Sequence, residues 1–397
     1  MNRQGPSAGL FGWMVRGALW ALAVGLLALL LASGRSTQLD RALYDLHMRH
    51  WQYAPGNDVV IVAIDPASLD ALGRWPWPRA IHARLIDRLT ADGVRAIGMD
   101  VTVAEPDATQ PQNDQALAAA IARSGRVAMP VFAEAQDLGG MPAEILPIPV
   151  VAKAAAAMGQ VDVGMDDDGI ARGAYLMAGL GGPYWPSLAL AVERIAQPAA
   201  KTAPLPGLRD APQAPRSPYL WERDHLILLH YAGPGASFGR LSYADVLDGK
   251  VPAALLEGKR VLVGATAEGM GDLIATPDGT MPGVEYQANV LETLRRGLAI
   301  LPLDIAAQFL LGSVVLLLPL ALYGLPGLRR AWRAAAVSIL ITLLLSVLLL
   351  RLAGLWWPPG ACVLLMLGGA ALAWPLARLD ALVPRRARLP GADPRGA

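Results

Sequence analysis

One cysteine is all this chain has, and Cys362 lies in an apolar run near the C-terminus. The polar part of the chain therefore forms no disulfide and holds no zinc site built on thiolates. Charge of one sign is equally scarce: 34 Lys and Arg stand against 33 Asp and Glu, a formal net charge of +1. That balance gives no electrostatic case for a nucleic-acid partner. The 5 histidines (His47, His50, His82, His225 and His230) show no HExxH or comparable ligand spacing. His47 and His50 read as surface residues of a membrane-proximal helix, with a metal site as the lesser alternative. No Gly-x-Ser-x-Gly elbow or other nucleophile signature occurs. No catalytic constellation is found, and neither a cofactor nor a resident metal is expected.

What the chain does have is long apolar runs, unevenly placed. One covers 14–33, and three crowd the C-terminus at 304–324, 334–350 and 358–376. A bilayer core about 30 Å thick needs about 20 helical residues to cross it, and each run is near that length. Four transmembrane helices are expected, contacting membrane lipid, with a polar domain at 34–303. Residues 1–13 and 377–397 are then the two ends. Cytoplasmic loops carry the Lys/Arg excess. Arg3 and Arg16 precede or begin the first run, and Arg329, Arg330 and Arg333 lie between the second and third. Arg378, Arg385, Arg386, Arg388 and Arg395 follow the fourth. The link Ala353–Trp357 has no charge, its tryptophans suit a membrane–water interface, and Arg351 can snorkel to the same level. Both ends therefore read as cytoplasmic and the polar domain as extracytoplasmic, in the cytoplasmic (inner) membrane of a bacterium. The alternative for the first run is a cleaved signal peptide, with an apolar stretch from Ala18 to Ala32 and a mediocre cleavage site at Leu31–Ala32–Ser33. Either way the domain is outside.

Within that domain, strand and helix patterns alternate. Asp58–Asp65 is a β-branched apolar run bounded by acids, as a buried strand would be. Ile81, Leu85, Ile86 and Leu89 share one face of a helix from Arg79 to Asp92, which Gly93 suits as cap. A second strand is expected at Ala96–Met99. A helix capped by Asn113 or Asp114 should run through Ser124, followed by a strand at Val127–Val131. Proline-rich Ala199–Tyr219 reads as an exposed loop. Strands resume at Leu226–Tyr231 and Arg260–Gly264, and a closing helix Val284–Arg296 ends at Gly297. The alternation predicts an α/β domain with a mainly parallel sheet.

Asp65 and Asp100 end two consecutive predicted strands. As parallel neighbours they would lie about 5 Å apart at the carboxyl edge, where ligand crevices form. The plainer reading is that each acid caps a loop or helix. Trp75–Pro76–Trp77–Pro78–Arg79 is stiff, broad and apolar, suited to lining a pocket, recruiting a partner protein, or forming a rigid lid over the sheet edge. The lid is the favoured alternative. Asp166–Asp167–Asp168–Gly169 lacks the spaced ligands and terminal Glu of an EF-hand and reads as a turn. The glycine-rich segment 264–272 has no Gly-Lys-Ser/Thr ending and no complete GxGxxG, which argues against a nucleotide site.

Taken together these segments resemble the second type of CHASE domain, the cyclases/histidine kinases associated sensory extracellular family. The resemblance rests on the Asp-bounded first strand leading to Leu72–Arg79, on Gly98–Asp100, on Glu105–Pro106–Asp107, and on Asp168–Gly169 with Arg172. Its most specific stretch is Val261–Thr266, then Thr276–Pro277, Met281–Glu285 and Ala288–Asn289. The resemblance implies an extracytoplasmic input domain of bacterial signalling proteins, which usually continue into a cytoplasmic kinase or cyclase. Here only Ala377–Ala397 follow the last run, too short for a folded output, and no histidine lies in the expected cytoplasmic segments. The output is expected downstream or in a partner.

Three functions follow. A sensor would bind a ligand or envelope protein through Asp65, Trp75, Trp77, Arg79 and Asp100 and shift the helix at 284–296. A scaffold would recruit an envelope protein through Trp75 and Trp77. A metal-dependent hydrolase would use Asp65 and Asp100. The sensor is the leading expectation, acting as a homodimer as transmembrane sensors commonly do.

Overall fold

The computed structural model describes residues 6–134, 143–209, 217–233, 235, 237–270, 273–323 and 330–382. Arg3, Gly271, Asp272, Arg329, Arg385, Arg386, Arg388 and Arg395, and with them most of the expected basic tail, lie outside the described residues. The chain divides into two compact units, Met1–Ala42 with Leu303–Ala397, and Leu43–Pro302.

The chain starts in α1 (Pro6–Ser33) and continues in α2 (Thr37–Arg49). Next come β1 (Val59–Ile64), α3 (Pro66–Leu72), α4 (Arg79–Ala91) and β2 (Ala96–Met99). They lead into α5 (Gln112–Ser124), β3 (Val127–Glu134), β4 (Ala143–Ile145), α6 (Pro149–Ala154) and β5 (Ala157–Gln160). Short β6 (Gly164–Met165) precedes β7 (Ala171–Leu180), β8 (Trp185–Pro186), α7 (Leu188–Ala196) and β9 (Trp221–Leu228). Then follow β10 (Gly239–Ser242), α8 (Tyr243–Leu247), β11 (Arg260–Ala265), the hairpin β12 (Leu273–Thr276) and β13 (Gly279–Pro282), and α9 (Gly283–Arg296). The last helices are α10 (Ile305–Val315), α11 (Leu318–Tyr323), α12 (Ala331–Ala353) and α13 (Gly360–Leu382).

In the unit 43–302 the main sheet runs β10-β1-β11-β2-β3-β5, every neighbouring pair parallel, with β4 added antiparallel to the end of β3. Strands buried on both faces need no polar alternation, and β1 is buried along its whole length. Val62, Ile64, Val261, Val263, Ile97 and Met99 face a core shared with α4 and α5. The opposite face carries small residues, Gly98, Ala128 and Gly159, which let α7 come close. A Cβ on Gly159 would stand 2.6 Å from the Leu188 backbone, so only glycine fits there. Arg260 at the start of β11 is buried against this face, and its guanidinium forks onto Glu193 of α7 at 2.6 and 3.0 Å. β6, β7, β8 and β9 form a second, antiparallel sheet beside it.

Three expectations change. β11 lies between β1 and β2, so Asp65 and Asp100 do not end neighbouring strands: a strand that returns from far along the chain separates them. Asn113 and Asp114 do not cap α5; they sit in its first turn behind Pro111 and turn their side chains to the loop before it. The strand expected at Leu226–Tyr231 instead spans Trp221–Leu228: its polar first half, Glu222–His225, has no apolar pattern, but it is paired along β7. Gly297 takes the left-handed conformation, φ 64°, that closes α9.

Arg172 on β7 is only 5% exposed at its side chain and ties several segments together. Nε and Nη2 each donate to the Asp45 carboxylate of α2 at 2.7 Å. Nη1 donates to Asp166 at 2.6 Å, and Nη1 and Nη2 both reach Asp168 at 2.9 Å. The acidic segment Asp166–Gly169 is a turn, with Gly169 at φ 76°, and it presents these carboxylates to Arg172. Burial alone would lower the Arg172 pKa, but the three carboxylates more than offset it and hold the guanidinium charged. Tyr44 donates to the Leu229 carbonyl at 3.2 Å and Arg49 to that of Pro277 at 3.1 Å, so the second half of α2 is fastened along its length.

Among the described residues of the other unit, three helices are long and apolar enough to cross a membrane: Trp13–Ser33, Ile305–Tyr323 and Ala331–Ala353. The expected fourth run lies in α13, with an apolar stretch at Gly360–Ala373. Several polar side chains described in this unit bond to backbone carbonyls. Trp20 donates its indole N–H to the Ser313 carbonyl, and Ser338, Thr342 and Ser346 on α12 each donate to a backbone carbonyl.

Candidate functional site

Two loops leave the carboxyl edge of the parallel sheet and face each other. The first carries the chain from β1 through α3 to α4; the second carries it from β2 to α5. Between them lies a crevice of about 560 Å³, lined by Trp75–Arg79, His82, Val101–Glu105, Asp107, Thr109, Gln110 and Asn113. That volume suits a small-molecule site, and the carboxyl edge is where open α/β sheets place one.

The wall on the α4 side is rigid. Trp77 is 4% exposed and donates its indole N–H to the Gly73 carbonyl at 2.8 Å. Half-buried Trp75 meets Trp77 edge-on at 5.2 Å and His82 at 5.6 Å between ring centroids, which holds its indole against the crevice. Below them His82 is buried, and its Nδ1 lies 2.8 Å from the Tyr243 hydroxyl of α8. Burial first, and Arg79 second, push the His82 pKa down to about 4, so the ring is neutral at pH 7.

The facing wall is polar. Arg79 at the start of α4 reaches across, with Nη2 donating to the Glu105 carbonyl and Nε lying 3.0 Å from the Asp114 carboxylate. Asp114 also accepts from the Asp107 backbone N–H at 2.9 Å. Asp107 is held in turn: the Thr109 hydroxyl, the Gln110 and Thr109 N–H groups and the Asn113 amide all donate to its carboxylate. Those donors, the Thr109 hydroxyl foremost, bring its pKa down to about 2, and it stays ionised. The result is a fixed negative charge opposite an indole.

Of the residues singled out in the sequence, Trp75, Trp77 and Arg79 come together here in the lining of one crevice. Asp65 and Asp100 do not line this crevice. Asp65 caps α3, its Oδ1 accepting from the Ser68 N–H at 2.8 Å, the Ser68 hydroxyl at 2.5 Å and the Ser242 hydroxyl at 3.0 Å. Asp100 closes β2 on the far side of β11, with its N–H donating to the Val263 carbonyl at 2.8 Å. The strands that end in these acids are two strand spacings, about 10 Å, apart rather than one. Sequence reasoning missed His82, Asp107, Asn113 and Asp114. Glu105 and Asp107 belong to the segments that carry the family resemblance, which is the sequence signal for them.

A family model described as the CHASE2 domain matches residues 21–325. No curated protein and no solved structure matches the chain.

Proposed function

The chain belongs to the CHASE2 domain family, and from that premise we propose that it senses a small ligand in the crevice between Trp75 and Asp107. The family is one of extracytoplasmic sensory domains, sensory rather than catalytic, and apolar helices of spanning length accompany it here. We place the unit 43–302 outside the cytoplasmic membrane of a bacterium, with both chain ends inside and a homodimer as the working form. The observation that carries the reading is the crevice itself, at the carboxyl edge, with Trp77 and Asp107 in its lining held by hydrogen bonds. Occupancy would favour one of two conformations of the domain, because a ligand shifts an equilibrium only through differential affinity. The route we propose for the shift is α9, which closes at Gly297 a few residues before α10.

A flexible Gly-rich insertion at Ala299–Leu301 tests that route in a fusion of the chain to a cytoplasmic reporter. The insertion should abolish the response to stimulus while the domain still folds and melts as before. A reporter that responds normally across the insertion would rule out α9 as the path.

A further inference from the structure

The crevice is not electrically neutral, and this narrows what it can hold. Its lining includes Arg79, but that guanidinium is ion-paired with Asp114 at 3.0 Å and donates through Nη2 to the Glu105 carbonyl. Glu105 and Asp107 remain, and among the described residues no side-chain cation pairs with either carboxylate. The four donors on Asp107 fix its carboxylate without neutralising it. An anion entering here would meet two like charges, and the guanidinium in the lining already faces Asp114 at 3.0 Å. A cation would meet the reverse, with a half-buried indole as well, and indole faces attract cations.

We infer that the crevice takes a small organic cation, an amine or quaternary ammonium whose body lies on Trp75 and whose charge faces Glu105 and Asp107. This rests on the reading of the crevice as the sensing site. The apolar side of the lining, Trp75, Pro76, Val101 and Val103, suits an alkyl body, and Thr102 and Gln110 offer hydrogen bonds to its polar substituents. An inorganic cation is a poorer fit, because the oxygens of Asp107 are already occupied by donors rather than open for coordination.

The test is calorimetric titration of the full chain in lipid nanodiscs at low salt, with matched probes. Choline is paired with its uncharged carbon isostere 3,3-dimethylbutan-1-ol, putrescine with butane-1,4-diol, and succinate supplies the opposite sign. At least one cation should bind about tenfold more tightly than its uncharged partner, the size expected of one ion pair with a cation–indole contact. The Glu105→Gln/Asp107→Asn double variant keeps both side-chain shapes and should erase that gap. Trp75→Ala should weaken every probe that binds. Equal binding of charged and uncharged partners, or tight succinate binding, that Trp75→Ala abolishes would overturn the cation while leaving the crevice as the site. Binding that neither variant alters would overturn both readings. No heat from either cation would overturn the inference on ligand class.

Discussion

Replacing Arg172 by Met should destabilise the unit 43–302 by about 3–5 kcal/mol, the cost of leaving a buried ion pair without one partner. The reason is geometric as much as electrostatic. A single guanidinium holds Asp45, Asp166 and Asp168, and Asp45 is largely buried, so Met would leave its carboxylate without its bidentate partner. Arg172→Lys should recover little of the loss, since an ammonium cannot donate two parallel bonds to Asp45 while reaching the other two acids. Asp166 and Asp168 are more exposed than Asp45, so Asp45→Ala should cost more than Asp168→Ala. Thermal melting of the purified chain measures all of these. A destabilisation of Arg172→Met below about 1 kcal/mol, the range of a surface pair, would show that the cluster does not bind α2 to the domain.

The second large effect is a loss of stability on acidification that belongs to His82. Its folded pKa, about 4, lies below the unfolded value of 6.5, so the folded state favours the neutral ring. The stability this contributes is fully present above pH 6.5 and is lost as the pH falls from 6.5 toward 4, where the unfolded chain binds the extra proton. At pH 5 the loss amounts to about 2 kcal/mol relative to pH 7, at about 1.4 kcal/mol for each pH step across that window. Asp40 works in the opposite sense: burial raises its pKa to about 6, so its contribution grows as pH falls from 6 toward 3.8. Comparison with His82→Gln isolates the histidine. Gln carries no titrating charge and keeps an acceptor within reach of Tyr243. The wild type should lose more stability than His82→Gln between pH 7 and pH 5. Parallel losses in the two proteins would mean that His82 is not held neutral, and that the floor of the crevice is wetter than its burial indicates.

Much of the fold was legible because it is local. The run Val59–Ile64 is β-branched and unbroken, which in a short segment leaves few choices besides a strand buried on both faces. The helix at 79–91 follows from four apolar positions on one face, and the end of α9 from Gly297. Strand order was not legible. β11 comes from residue 260 to lie between strands that are consecutive in the chain, and no local pattern encodes that insertion. The expectation that Asp65 and Asp100 end neighbouring strands is corrected for this reason alone. Asn113 and Asp114 were misplaced for a different one, since a cap and a first-turn residue share the same composition and differ only in where the side chain turns. The indole wall of the site could be read from the rarity of Trp75–Arg79. Its charge could not, because it depends on Asp114 engaging Arg79 from another helix.

The claim on which the account depends is that ligand enters between Trp75 and Asp107. Labelling the 11 tryptophans with 5-fluorotryptophan makes the location directly visible by fluorine NMR of the full chain. Trp75 and Trp77 are assigned through Trp75→Phe and Trp77→Phe, and the chain is titrated with the low-molecular-weight fraction of the medium its cells grow in. The account predicts that the Trp75 resonance moves first and furthest. Movement confined to indoles on the antiparallel sheet, Trp185 or Trp221, with Trp75 unchanged, would contradict it.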